Sequence, residues 1–346
     1  MIARAAFLPQ DGRVFVVAEA GVNHNGSPAI ARSLVAAAAE VGADAVKFQT
    51  FRADRLVTRT APKADYQTRR TSAEESQHAM LARLELDEAA HHALLADARS
   101  RNILFLSSPF DEDSADLLER LGVELYKIPS GEITNLPYLS HIARKGRPMI
   151  VSTGMCVLGE IEQALGTIRA AGDPPVVLLH CVTEYPAPYA EVNLRAIETL
   201  RQAFGVPVGY SDHTPGVEIA IAAVAVGACL IEKHFTLDRT MQGPDHGASL
   251  DLEQFRDMVS AIRRVTLAMG DGVKRPAPCE IRNRDVARKS LVVTRRVAKG
   301  ERIDAAAVAV KRPGTGIPPA DLEKVLGRRA AADLEPDQVL TWQALD

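Results

Sequence analysis

Cysteine is scarce in this chain: Cys156, Cys181, Cys229 and Cys279 are the four in 346 residues, and no CxxC spacing occurs among them. Three of them lie in or beside apolar runs, so they read as buried thiols rather than disulfides or zinc ligands. No stretch reaches the roughly 20 apolar residues that span a bilayer, and Met1 to Gln10 lacks the h-region of a secretory signal. A cytoplasmic location and no membrane partner are expected. Charge of neither sign is in excess: the formal net charge of −3 gives no electrostatic case for nucleic acid as a partner. Internal repeats and low-complexity tracts are also missing. What remains is the composition of an ordinary soluble globular protein, with ample chain for a large core.

Short β-branched runs alternate with Ala/Leu-rich stretches along most of the chain, the pattern of parallel strands joined by crossover helices. Strands are predicted at Val14–Glu19, Ala45–Gln49, Ile103–Ser107, Val123–Ile128, Pro148–Ser152, Val176–Cys181, Val206–Tyr210 and Ala228–His234, each leading toward a helical stretch, the last from Leu252 to Met269. Eight consecutive βα rounds without an antiparallel signal favour a closed (β/α)8 TIM barrel over an open doubly wound sheet. A barrel of about 250 residues fits residues 1–270. Residues 271–286 carry glycine, prolines and charges with no helix or strand period, and read as a linker. Residues 287–346 read as a small β-rich domain with strands at Lys289–Val297, Ala307–Lys311 and Val339–Trp342. About sixty residues is near the lower limit for folding alone, so docking on a barrel or a partner chain is expected.

Barrel enzymes collect their chemistry where strands end. Glu19 ends the first predicted strand, and the period-two alternation puts it on the same side as Val17. Lys47 and Lys127 interrupt otherwise apolar strands. A lysine inside a barrel needs an anion beside it, either a carboxylate such as Glu19 or Glu232 or a bound substrate. Together with Ser130, Ser152 and Ser211, all at strand exits, the two lysines suit a small substrate bearing phosphate and carboxylate. His213 and His234 leave neighbouring strands about 4.8 Å apart, so their imidazoles can converge on one ion. Such a site leaves positions for water and substrate, which fits a Lewis acid; spacing alone does not choose among zinc, iron, nickel, manganese and magnesium. Asp245, in Gly243-Pro-Asp-His246, is a candidate for orienting a polyol or for capping its own loop.

The ordered motifs Ala18-Glu19, Asn23-His-Asn-Gly26, Val46-Lys-Phe-Gln-Thr50, Lys127-Ile-Pro-Ser-Gly-Glu132, Ser152-Thr-Gly-Met155, Tyr210-Ser-Asp-His213, Glu232-Lys-His-Phe235 and Gly243-Pro-Asp245 span most of the chain. The set resembles that of bacterial sialic acid synthases, a family that includes legionaminic acid synthases. The tail, with Lys311-Arg-Pro-Gly314, is similar to their C-terminal antifreeze-like (SAF) domain.

The resemblance implies condensation of phosphoenolpyruvate with N-acetylmannosamine, an N-acetylated hexosamine, and water to give N-acetylneuraminate and phosphate. It implies Mn2+ or Mg2+ on His213 and His234; Lys47, Lys127, Ser130, Ser152 and Ser211 on phosphoenolpyruvate, with Tyr185 beside it; and Gln49 among the substrate-binding residues. Glu132 would activate water, while Glu19, Glu232 and Asp245 would orient the metal, its waters or the sugar. A domain-swapped homodimer would bring Arg312 over the sugar N-acetyl group of the partner barrel. The chain departs from family members that carry His-Cys-Thr-Asn: here the segment is His180-Cys-Val-Thr183, so Thr183 must make that contact or it is absent. The variant Thr183-Glu-Tyr-Pro-Ala-Pro188 also occurs among legionaminic acid synthases, which points to a 2,4-diacetamido-2,4,6-trideoxymannose as the alternative sugar, and after it to the altrose isomer used for pseudaminic acid. Ala61–Gln67, in the long loop after the second strand, is expected to cover the pocket or to be a surface Ω-loop. Two other readings stand beside these. A Schiff-base aldolase also places a lysine in a barrel but needs it neutral and needs no metal. A noncatalytic carbohydrate-binding protein would have no physical reason to keep these buried charges.

Overall fold

The structure, a computed structural model, describes residues 12–68, 71 and 75–346, so the reading of Met1 to Gln10 lies outside the described residues. The chain divides into two compact units, one ending at Gly270 and the other running from Asp271 to Asp346.

The first unit is built on eight parallel strands: β1 Phe15–Gly21, β2 Ala45–Thr50, β3 Leu104–Pro109, β4 Tyr126–Ile128, β5 Met149–Ser152, β6 Val176–Cys181, β7 Val208–Asp212 and β8 Leu230–His234. The ladder runs continuously in the order β3-β2-β1-β8-β7-β6-β5-β4. β3 and β4 then stand beside one another, so the sheet curls into a nearly closed TIM-like barrel. Aspartates and a serine start several of the crossover helices. Ser27, Asp87, Asp111 and Asp251 each accept a backbone N–H of the first turn that would otherwise lack a partner.

Two apolar layers fix the barrel. Between strands and helices lies the large core, which includes Val16, Val46, Phe48, Leu118, Ile142, Ile168 and Ile231. Inside the barrel a smaller plug of Phe15, Val17, Ala45, Leu106, Leu125, Ile150, Val177, Leu179 and Leu230 fills the axis. Gly209 belongs to that plug, because a Cβ there would come within 2.5 Å of the Leu230 carbonyl and 2.7 Å of Leu179. Since alternate residues of a strand face the same way, the next inward position on each strand stands directly above the plug. Those positions are Glu19, Lys47, Ser108, Lys127, Ser152, Cys181, Ser211 and Glu232, a polar storey seated on an apolar floor.

The second unit pairs β9, Ser290–Val293, antiparallel with β10, Val308–Lys311. Its core gathers Leu291, Val293, Val297, Ile303, Ile317, Val325, Leu334 and Leu340. The strand predicted at Val339–Trp342 is a single bridge from Val339 to Val292 followed by a 3-10 turn at Trp342–Ala344. The stretch read as a linker differs too: it holds a 3-10 turn at Pro278–Glu280 and enters a helix at Ile281–Ala287, tied back by Gly314 N–H to the Asp285 carbonyl at 2.8 Å. That helix buries none of its residues, so it carries no apolar stripe from which a helical period could be read.

Candidate functional site

The polar storey opens, at the C-terminal ends of the strands, into a cavity of about 340 Å³. A second hollow, of about 410 Å³, lies at the opposite end of the barrel around Arg13, Asp44 and Glu124, where no comparable set of buried titratable groups gathers.

Register builds the charged centre. Glu19 on β1 stands opposite Lys47 on β2 and opposite His234 on β8, and Ser211 on β7 stands opposite Glu232 on β8. Lys47 Nζ lies 2.9 Å from Glu19 Oε2, 3.8 Å from Glu232 Oε2 and 3.2 Å from Ser108 Oγ. Lys127 Nζ lies 3.4 Å from Glu232 Oε1, which also accepts the Ser211 hydroxyl at 3.0 Å. All of these side chains are buried. Burial raises the Glu19 carboxyl well above its usual range, against the pull of Lys47. Burial pushes Glu232 the same way, but Lys127, Lys47 and the Ser211 hydroxyl outweigh it and hold that carboxyl below its usual range. Burial draws Lys127 down, while Glu19 and Glu232 reverse the same effect at Lys47 and leave it raised. Two ammonium groups thus face one firmly ionised carboxylate and one that readily takes a proton.

The imidazoles form the second part of the site. The His213 and His234 rings are 5.4 Å apart, and the Tyr185 ring stands 4.2 Å from the first and 5.5 Å from the second. His213 Nδ1 is 2.7 Å from the Val182 carbonyl, to which it donates, leaving Nε2 with its lone pair. Burial pulls His213 down to about 4 and His234 well below its usual value, so both rings are neutral. Asp245 Oδ2 is 3.8 Å from His234 Nδ1, and burial lifts its carboxyl to about 6. Among the described residues no group of three or more His, Cys, Asp or Glu side chains is arranged to hold a metal ion.

Buried polar atoms without hydrogen-bond partners gather here: Glu19 Oε2, Glu232 Oε2 and Ser152 Oγ in the polar storey, and His234 Nδ1 above it. Such atoms are rare in folded proteins unless a ligand, ion or water answers them. Lys47 approaches Glu19 Oε2 as an ion pair outside hydrogen-bonding geometry.

The structure brings Glu19, Lys47, Gln49, Lys127, Ser130, Ser152, Thr183, Tyr185, Ser211, His213, Glu232 and His234 to the one cavity. Asp245 stands behind its lining, over Gly21, where a Cβ would come within 3.2 Å of Glu19, 3.5 Å of Asp245 and 3.6 Å of Gln49. Glu132 is not brought in: its Oε2 accepts from Asn135 Nδ2 at 2.8 Å, and it does not line the cavity although Ser130 and Gly131 do. The 3-10 turn at Ser130–Glu132 is the cause, since successive side chains there rotate by a third of a turn. Arg312 belongs to the second unit, exposed directly after β10.

Several lining residues escaped the sequence reading. Cys181 Sγ is 3.3 Å from Ser130 Oγ, and Gly154 donates its N–H to the same Ser130 Oγ at 2.9 Å. Ser108 is the inward residue of β3, and the strand pattern could have revealed it. Leu56, Val57, Gln77, Leu81 and Phe110 also line the cavity, as does Gln67; apart from Phe110, which directly follows β3, they come from the segment after β2, whose helices Ala53–Leu56, Asp65–Thr68 and Gln77–Ala82 are too short for a period to mark an inward face. Gln67 ends the Ala61–Gln67 stretch expected to cover the pocket.

Residues 34–274 match the model of the NeuB family, and residues 288–346 match the SAF domain. The chain is 48% identical over 330 residues to the N,N'-diacetyllegionaminic acid synthase of Campylobacter jejuni, covering 95% of this chain and 99% of that protein. It is 46% identical over 336 residues to the N,N'-diacetyllegionaminic acid synthase of Legionella pneumophila, covering 96% and 94%. The crystal structure of the N-acetylneuraminic acid (sialic acid) synthetase of Leptospira borgpetersenii in complex with citrate superposes with a TM-score of 0.70 at 34% identity, over 78% of this chain and 90% of that one.

Proposed function

Because the chain belongs to the NeuB family and carries a SAF domain, we propose that it condenses phosphoenolpyruvate with 2,4-diacetamido-2,4,6-trideoxymannose and water, giving N,N'-diacetyllegionaminic acid and phosphate. It is an enzyme of the phosphoenolpyruvate-dependent condensing type. The choice of sugar reverses the order expected from the motifs, which put N-acetylmannosamine first. It rests on the identity to two legionaminic acid synthases and on the Thr183-Glu-Tyr-Pro-Ala-Pro188 segment.

One observation carries the chemistry: two inward lysines with their carboxylates, and the buried Ser152 Oγ and His234 Nδ1 that have no hydrogen-bond partner, share a cavity with a pair of neutral imidazoles. Lys47, Lys127, Ser130, Ser152 and Ser211 supply the cationic and hydroxyl donors for the carboxylate and phosphate of phosphoenolpyruvate. The residues fit a divalent ion: His213 offers Nε2, and His234 has a buried Nδ1 with no hydrogen bond, 3.8 Å from Asp245 Oδ2. When bound there, Mn2+ or Mg2+ would supply Lewis-acid polarisation of the sugar aldehyde. Oxygen ligands from water and substrate would complete its shell, as those ions prefer.

In the reaction, C3 of phosphoenolpyruvate bonds to the aldehyde carbon, whose oxygen takes up a proton. Water adds at C2 and releases a proton, and phosphate leaves as the C–O bond breaks. Glu19 is the group suited to hold and return a proton, since its burial favours the protonated form while Lys47 beside it tolerates the ionised one. Glu232 keeps both lysines aimed at the cavity, and Asp245 steadies His234. The water-activating role expected of Glu132 would require its carboxylate to leave Asn135. Arg312 would meet the sugar of a partner barrel in a domain-swapped homodimer, and the setting would be cytoplasmic. The test is phosphate release from phosphoenolpyruvate and a divalent metal with the diacetamido sugar, its altrose isomer and N-acetylmannosamine in parallel. Turnover on N-acetylmannosamine equal to or above that on the diacetamido sugar overturns the assignment.

A further inference from the structure

Resting on that substrate reading, we infer that Leu56, Val57, Leu81 and Phe110 form a subsite for the methyl-bearing end of the acceptor sugar, with Gln77 meeting its amide. The cavity is two-sided. Its inner side is the polar storey of lysines, carboxylates and hydroxyls; the four apolar side chains line it without any charged group of their own.

The apolar side is the open face of a small separate core. Val22 packs with Phe51, Ala53, Met80, Leu81 and Leu84 of the segment after β2, Ala53 on the helix Ala53–Leu56 and Met80 and Leu81 on the helix Gln77–Ala82, and Leu56, Val57 and Phe110 pack against that cluster while remaining only partly buried. Phe51 and Phe110 meet edge to face with ring centres 6.1 Å apart, which fixes the wall's shape. A segment that served only to close over itself would bury these side chains; here the remaining apolar area is turned to the cavity. A hydroxyl placed against such a wall loses water without gaining a partner, whereas a methyl gains contact. N-acetylmannosamine presents hydroxyls at C4 and C6. The diacetamido sugar presents an acetamido group and a methyl at those positions, so its distal end matches a wall of this chemistry. Gln77 Nε2 donates to Gln67 Oε1 at 3.4 Å, and the Ala64 N–H donates to the same oxygen at 3.0 Å, which holds the Gln77 carboxamide at the edge of the apolar wall, where its carbonyl oxygen can accept an acetamido N–H.

The test uses the full-length enzyme with both sugars and compares wild type with Val57→Thr, which keeps the shape but adds a hydroxyl, and Leu56→Asn, at a half-buried position where folding tolerates polarity. Melting temperatures verify that each variant is folded. Both variants should lower kcat/KM for the diacetamido sugar by about 10–100-fold, leave the KM for phosphoenolpyruvate unchanged, and leave or raise turnover of N-acetylmannosamine. Loss of equal size on both sugars, or a preference unmoved in both folded variants, overturns this inference alone. A wild-type enzyme that prefers N-acetylmannosamine overturns the substrate reading and this inference together.

Discussion

Lys233 Nζ lies 2.7 Å from Asp212 Oδ2, paired in register across β8 and β7 with neither side chain reaching solvent. Asp212 directly precedes His213 and Lys233 directly precedes His234, so this pair fastens together the two strand ends that carry the imidazoles. The Thr214 carbonyl takes a second hydrogen bond from Lys233 at 2.5 Å, and Asp212 Oδ1 accepts from the Thr214 N–H and hydroxyl.

Removing one member should strand the other charge. Lys233→Met is expected to destabilise the barrel by about 3–5 kcal/mol, while Asp212→Asn combined with Lys233→Met should recover part of that loss. Urea unfolding of the three proteins measures it, and a single variant as stable as wild type would contradict the pairing.

His213→Ala and His234→Ala should each stop turnover with little change in melting temperature. A chelator should do the same to wild type, reversed by added Mn2+ or Mg2+ and read by phosphate release. Full activity in excess chelator would remove the divalent ion from the scheme.

Gly154 should not accept a side chain. A Cβ there would lie 2.3 Å from Thr183 Oγ1, 2.7 Å from Cys181 Sγ and 2.9 Å from Ser130 Oγ, all of them in the cavity wall. Gly154→Ala is expected to cost about 1–3 kcal/mol in strain or displacement, seen as a lower kcat/KM, and Thr183→Ala should relieve part of it. Unaltered kinetics would show that the wall yields freely.

His24 gives stability a pH dependence of known sign. It is fully buried and burial pulls it from 6.5 down to about 4, so between those values the unfolded chain binds a proton that the folded chain refuses. Stability from this group is therefore complete above about pH 6.5 and falls by about 3 kcal/mol as pH drops toward 4. Urea unfolding across that range, compared with His24→Asn, should show the slope in wild type and its reduction in the variant.

Arg312→Ala should raise the sugar KM with a smaller effect on that of phosphoenolpyruvate. Steady-state kinetics with each substrate varied in turn will show it; equal effects on both would exclude a role confined to the sugar.

How far the sequence could be read follows from where periodicity exists. Glu19 was legible because strand alternation puts it on the same side as Val17, which the structure places inside the barrel, and Lys47 and Lys127 because ammonium groups interrupt apolar strands. The barrel itself was visible as eight repeats of one pattern, although β7 begins two residues later than predicted and runs through Asp212. Glu132 was not legible, since a 3-10 turn follows neither the strand nor the α-helix period. Nor were Leu56, Val57 and Leu81, whose inward direction depends on how the short helices Ala53–Leu56 and Gln77–Ala82 pack, each spanning too few residues to show a period. The helix Ile281–Ala287 was hidden for a different reason: with nothing buried, its sequence had no pattern to show.

The distances around Glu19 and Glu232 set the two lysines apart. Lys47 has a close companion in Glu19, but Lys127 meets Glu232 at 3.4 Å and has no nearer carboxylate among the described residues. An arriving anion can therefore recruit Lys127 without tearing apart a tight couple, while Lys47 stays anchored and keeps its aim. The resting site is thus poised like a hand with one finger free, Lys127 being the ammonium group less tightly engaged of the two.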